Sequence, residues 1–290
     1  MIRNGLTMTM VFDAASANYG EGIGNISQLK KMTRTGGQVY TYISRQALRY
    51  SIVQQMEIDH TPVTADPGVV QFAPEAQITD FPEIDLFGYM KTSKSKEGQN
   101  VRSAVVRLSN AISLEPYKSD VDFLNNMGLT NRQNLQNQNV LVQSEIHKSL
   151  YTYTLNVDLD KVGIDERAKI EIPKEQRCER VLKLLETVEF LWRDIRGRRE
   201  NLNPVLAVGG LYERKNPYFE DRIKITGKGN LDVDLLVSVI DSCEDTRENT
   251  AVGCLPGIFL NNDEIKQKLK VSSVNEMFAK IKEEVNAYYG

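Results

Sequence analysis

Apolar and polar side chains alternate along Thr7-Met8-Thr9-Met10-Val11-Phe12 near the amino terminus, and this period of two predicts a half-buried strand. The same alternation returns more clearly at Tyr151, Tyr153, Leu155, Val157 and Leu159, with Thr152, Thr154, Asn156 and Asp158 between them. One face of that strand is apolar and the other polar. Its tyrosines belong on the core face rather than on a base-stacking platform.

Helical spacing predicts three longer elements. Val101, Ala104, Val105, Leu108, Ala111 and Ile112 recur at helical intervals. Over 176–195, Val181, Leu182, Leu184, Leu185, Val188, Leu191, Trp192 and Ile195 form an apolar stripe that Gly197 terminates, with Arg193 and Arg196 complementing the helix dipole. A closing helix places Val274, Met277, Phe278, Ile281, Val285 and Tyr288 on one side, opened by Ser273 and Glu276 at capping-box spacing. Residues 204–208 and 231–240 read as strands. Strands and helices alternate unevenly, and no internal repeat is visible, so the fold class is α+β on a modest sheet.

Two stretches interrupt this pattern. Residues 59–100 are punctuated by Pro62, Pro67, Pro74 and Pro82 and read as an irregular, finger-like insertion. Residues 125–144 are rich in Asn and Gln and contain one basic residue, Arg132, and no acid; a linker and a protruding hairpin are both open there.

Composition narrows the chemistry. With 290 residues, 41% of them hydrophobic, the chain buries a real core, and it has no apolar run for a membrane span or signal peptide, which places it in the cytoplasm. Three scattered cysteines and two histidines give no metal-ligand spacing, so no cofactor or metal is expected.

Charge is where the chain becomes specific. The whole chain carries −3, yet residues 22–56 contain no Asp or Glu and hold Lys30, Lys31, Arg34, Arg45 and Arg49. That local excess of five positive charges points to an anionic ligand. Gly20, Gly22, Gly24, Gly36 and Gly37 permit close backbone approach, and Ser44 is placed to cap a helix over 42–56. Ala47 stands where a capping box would put a carboxylate, leaving the positive helix end open to an outside anion. Arg45 and Arg49, four apart, share a face. A second basic stretch includes Lys91 and Lys94, and Arg198 and Arg199 lie beyond the Gly197 stop.

Enzyme motifs fail on detail. In GEGIGN, Asn25 replaces the third glycine of a dinucleotide fingerprint, and the acidic residue due about twenty positions later falls inside the acid-free run. No phosphate-binding G-x-x-x-x-G-K-[ST] or G-x-S-x-G elbow exists. Read from residues alone, this is a binding protein for a polyanion and not an enzyme.

A set of motifs then carries a resemblance: TMTMVFDA, SANYGEGIGN, YISRQALRY, EIDLFGYM followed by VRSAVVRLSNAIS, and HKSLYTYTLNVDL. Together they resemble the CRISPR-associated backbone subunits of type I Cascade complexes, the Cas7 family, in its DevR-like autoregulator branch of type I-B systems. The likeness runs from Leu6 to about Ala207. It implies a single RNA-recognition-motif-like (ferredoxin-like) palm over 1–290 with long insertions, including a protruding thumb over 113–149. It implies an RNA-binding subunit that stacks head to tail with copies of itself along one CRISPR RNA and presents that guide to a target DNA strand. Other Cascade subunits, the large subunit and those that bind the repeat ends, are the implied partners.

Backbone contacts would then fall on Asn18, Lys30, Lys31, Arg34, Ser44, Arg45, Gln46 and Arg49, with Lys91, Lys94, Arg132, Arg198 and Arg199 completing the groove. The alternative reading is a DNA-binding autoregulator of its own CRISPR operon. The aromatic RNP signature of an ordinary RNA-recognition domain is missing, and contacts to phosphate and sugar alone suit a subunit that must accept any guide.

Overall fold

The computed structural model describes residues 2–66, 69–91, 100–125, 132, 141–227 and 229–290. Its centre is β1 (Gly5–Ala14), which is buried almost throughout. The alternation read as a half-buried strand is therefore corrected: Thr7 and Thr9 are as buried as Met8 and Met10, because neighbouring strands and a loop cover both faces. Thr9 and Thr154 hydroxyls meet at 2.7 Å, and Thr7 Oγ1 donates to Asn156 Oδ1 at 2.9 Å, so the buried polar groups are paired.

The main sheet has nine strands. In chain order they continue as β2 (Lys31–Thr33), β3 (Val39–Ile43), β4 (Val106–Leu108), β5 (Ala111–Ser113), β6 (Ser149–Asp158), β7 (Leu206–Tyr212), β8 (Ala251–Cys254) and β9 (Val271–Ser272). Across the sheet the order is β9-β8-β7-β1-β6-β5-β3-β2, with β4 also pairing with β6. β1 runs antiparallel to both neighbours, in register from Gly5↔Asp158 to Ala14↔Ser149 on one side and from Gly5↔Tyr212 on the other.

One face of the sheet is apolar. Leu6, Met8, Met10 and Phe12 with Tyr151, Tyr153, Leu155 and Val157 pack against three helices: α1 (Arg45–Gln55), a second spanning Lys174–Glu189, and the closing Val274–Tyr289. The tyrosines are core residues, as the sequence predicts. The closing helix opens with the predicted capping box: Ser273 N donates to Glu276 Oε2 at 2.8 Å, and Glu276 N to Ser273 Oγ at 3.2 Å. The opposite face is apolar only toward β7 and β8, where Val11, Leu206, Val208 and Val252 meet Phe219, Phe259 and Leu236. Over β6 it stays polar, with Thr152 and Thr154.

Four sequence expectations fail locally. The periodic stretch 101–112 forms strands, β4 and β5 among them, because pairing with β6 outweighs helical spacing in a Val-rich segment. The helix expected over 176–195 ends at Glu189, and Trp192–Ile195 pairs instead with Arg198–Asn201 in a hairpin. Arg196 and Gly197 turn that hairpin at φ 50 and 75, the left-handed pair that a tight two-residue turn requires. Residues 233–240 are helix rather than strand: Asp232 accepts from Leu235 N at 3.0 Å and caps it. The glycine run is itself a hairpin, Tyr19–Ile23 with Ile26–Leu29, turned at Gly24 with φ 59.

That hairpin belongs to a second sheet. Ile26–Leu29 pairs in parallel with Leu141–Ile146, which pairs in turn with Asp120–Asn125 as the outer strand. Strands from 113–149 thus grow directly out of the basic segment. Within 59–100 the chain forms two hairpin pairings and the short helix Pro82–Phe87. Asp85 of that helix, fully buried, ties the insertion down: it accepts from Arg102 Nη2 at 2.6 Å, Arg180 Nη1 at 2.7 Å and Gly163 N at 2.9 Å.

Candidate nucleic-acid interface

Helix α1 begins where the sequence places it. Ser44 Oγ accepts from Ala47 N at 3.3 Å and Ser44 O accepts from Leu48 N at 3.0 Å. Arg45 N donates to Asn110 Oδ1 at 2.9 Å, and Ser44 Oγ donates to Asn18 Oδ1 at 2.6 Å. The expectation of a fully open helix end is corrected: three of its first amides are engaged. Gln46 N is the one left without a partner among the described residues.

This helix end forms one wall of a cleft of about 630 Å³. Lys30, Tyr42, Ser44, Arg45 and Gln46 stand on that wall, the turn Leu108-Ser109-Asn110 adjoins it, Thr152 and Thr154 of β6 line the cleft, and Glu220 and Asp221 come from a distant loop. Lys30 and Arg45 have no ion-pair partner among the described residues. Thr152 Oγ1 is buried and has no hydrogen-bond partner. Burial, and then the neighbouring charge of Asp221, push the Glu220 carboxyl above its ordinary range.

The remaining predicted residues divide. Asn18 joins the cleft wall through Ser44. Lys31 turns away, 2.7 Å from Glu145 and over the Tyr117 ring at 4.5 Å. Arg34 pairs with Asp221 at 2.9 Å and so borders the cleft. Arg49 does not share the cleft with Arg45: it lies over the Phe87 ring at 4.9 Å and 3.5 Å from Glu83, and burial lowers its pKa against that carboxylate's pull. The run free of acids in sequence is thus met in space by Glu83, Glu145 and Asp221.

Lys91 is a correction. It is 4% exposed, donates to the carbonyls of Pro74 and Ala76, and lies over the Tyr89 ring, so it anchors the insertion instead of facing a ligand. Arg198 bonds Ser16 and Glu200. Arg199 pairs with Asp194 at 2.9 Å and covers the Trp192 ring at 3.7 Å. Arg193, expected at a helix end, instead holds Glu200 at 2.6 Å beneath the same hairpin. Arg132 is exposed, and Lys94 lies outside the described residues.

Sequence reasoning missed Asn110, Thr152, Glu220 and Asp221. The polar alternation of β6 carried a signal for Thr152. Glu220 and Asp221 had none, since a loop nearly two hundred residues from the basic run is brought to it only by the sheet. Among the described residues no group of three His, Cys, Asp or Glu side chains is placed to hold a metal, and no helix is long and apolar enough to cross a membrane.

Three comparisons bear on this arrangement. Two solved chains, described as a CRISPR RNA-guided surveillance complex, pre-nicking, and a CRISPR RNA-guided surveillance complex, share the fold. The first has a TM-score of 0.66 at 11% identity, covering 98% of this chain and 100% of the other. The second has a TM-score of 0.64 at 14% identity, covering 98% and 99%. The CRISPR-associated protein Cas7/Cst2/DevR of Myxococcus xanthus (strain DK1622) is 26% identical over 172 residues, 53% of this chain; the match spans 57% of that relative's length. A family model, CRISPR-associated negative auto-regulator DevR/Csa2, matches residues 6–220, from the start of β1 through Glu220 in the cleft wall, and the chain belongs to this CRISPR-associated DevR/Csa2 family.

Proposed function

We propose that the chain is an RNA-binding backbone subunit of a type I-B CRISPR surveillance complex in the cytoplasm. Copies stack head to tail along one CRISPR RNA and hold its backbone while the bases pair with a target DNA strand; the large subunit and the repeat-end-binding subunits complete the complex. The subunit does no chemistry on the strands.

The observation that carries this reading is the cleft at the start of α1. Two cations without acidic partners, Lys30 and Arg45, meet a helix N-terminus with a free Gln46 amide, which together favour a phosphate. These contacts read no base, as a holder of arbitrary guides requires. The outer strand Asp120–Asn125 supports stacking of copies: it is exposed throughout and carries Val121, Phe123 and Leu124 on an unpaired edge.

The test is reconstitution with a CRISPR transcript and the partner subunits, imaged by electron microscopy. A curved filament whose length follows the guide is expected. A chain that stays monomeric and RNA-free contradicts the reading. The family's description as a negative auto-regulator favours a second reading, a repressor at its own promoter; a sequence-specific footprint on that DNA without RNA would establish it instead.

A further inference from the structure

The cleft holds opposite charges in one space: Lys30 and Arg45 on one wall, Glu220 and Asp221 on the other. Asp221 has a structural reason to be there, its 2.9 Å pair with Arg34. Glu220 has no cationic partner among the described residues. A clamp for phosphate alone is weakened by such a carboxylate, because like charges repel. An ionised carboxylate only accepts hydrogen bonds, so Glu220 calls for a neutral donor in the ligand.

A second observation points the same way. Thr152 is 7% exposed, lines the cleft, and its Oγ1 has no partner. Its polar neighbours are taken: Thr154 Oγ1 by Thr9 at 2.7 Å, and Ser109 Oγ by Thr154 N at 2.9 Å and the Asn110 carbonyl. Asn110 spends its Oδ1 on Arg45 N and keeps its amide N–H donors. Leaving a buried hydroxyl unpaired costs about 1–3 kcal/mol, a cost removed when a ligand brings the partner. The cleft therefore offers a hydroxyl, amide donors and a carboxylate acceptor beside its phosphate-seeking cations.

We propose that this cleft reads the 2′-hydroxyl of a ribose, through Thr152 and Glu220, and so distinguishes an RNA backbone from a DNA backbone. The 2′-hydroxyl both donates and accepts, and it is the one group of the nucleic-acid backbone that DNA lacks. The inference rests on the cleft being the seat of an RNA strand. It adds that the seat excludes a deoxyribose strand of the same sequence and charge.

The test compares binding of the purified protein to a single-stranded RNA, the DNA of matching sequence, and the RNA methylated at every 2′-oxygen. Wild type is expected to rank RNA first. Thr152→Val, which keeps the side chain's shape, and Glu220→Ala, in a loop, are each expected to lower the RNA-to-DNA ratio about three- to tenfold without weakening DNA binding. Arg45→Glu is expected to weaken both strands. If wild type does not prefer RNA, or if both variants leave the ratio unchanged, the inference is overturned while the RNA seat stands. If Arg45→Glu changes neither strand's affinity, the placement of RNA in this cleft falls, and the inference falls with it.

Discussion

Arg45 and Arg49 stand one turn apart on α1, yet the fold sends them to different places. Arg45 lines the polar cleft without an acidic partner, whereas Arg49 covers the Phe87 ring at 4.9 Å and faces Glu83 of the insertion. The two residues therefore have separable roles.

Arg45→Glu is expected to reduce RNA retention sharply while leaving the melting temperature within about a degree, as suits a surface change away from packing. Arg49→Ala is expected to cost about 1 kcal/mol of stability through lost ring contact and a partly exposed ion pair, with RNA retention largely kept. Equal loss of RNA in both variants, measured by filter binding, would show that they act as one site.

The Asp85 carboxylate joins three elements, accepting from Arg102, Arg180 and Gly163 while fully buried. Asp85→Ala strands two guanidiniums that are each only 9% exposed. A loss of about 3–5 kcal/mol is expected by chemical denaturation. Replacing a buried pair with apolar groups is often neutral, so a loss near zero would mean that water relieves the arginines.

Close approach of strands makes Gly210 irreplaceable. A Cβ there would lie 2.0 Å from the Asn249 carbonyl oxygen, which is backbone and has nowhere to retreat. Gly210→Ala is expected to destabilise by about 1–3 kcal/mol or more, visible as a lowered thermal midpoint. Wild-type stability would mean that this edge of the sheet is looser than described.

His147 sits at the root of the second sheet, with Nδ1 2.7 Å from Thr41 Oγ1, which in turn is 2.7 Å from the Tyr151 hydroxyl. Burial lowers its pKa, against the pull of Glu115. The folded state thus favours the neutral ring. Its contribution is complete above the unfolded value of about 6.5 and is lost as pH falls from there through the folded value. A thermal midpoint that drops over that window in wild type, and less in His147→Gln, is the expected result; parallel curves would remove His147 from the account.

Much of the frame was legible because period-two alternation and caps are local. β1, β6, the Ser44 cap and the Ser273–Glu276 box all follow from neighbours in sequence. Trp192–Ile195 was not legible, since Leu191, Trp192 and Ile195 satisfy helix and strand spacing alike until Arg196 and Gly197 adopt positive φ. The cleft was half legible. Lys30, Ser44, Arg45 and Gln46 come from one run, but the counter-charges at Glu83, Glu145, Glu220 and Asp221 reach that run through tertiary packing alone, and they decide which of its cations are spent.

The central claim is that RNA lies in the cleft at the start of α1. Photo-crosslinking of thiouridine-labelled CRISPR RNA in the reconstituted complex, mapped to peptides by mass spectrometry, tests it most directly. Crosslinks concentrated on residues 30–46, 108–112 and 152–154 are predicted. Crosslinks gathered instead on the opposite face, along Val274–Tyr289, would contradict it.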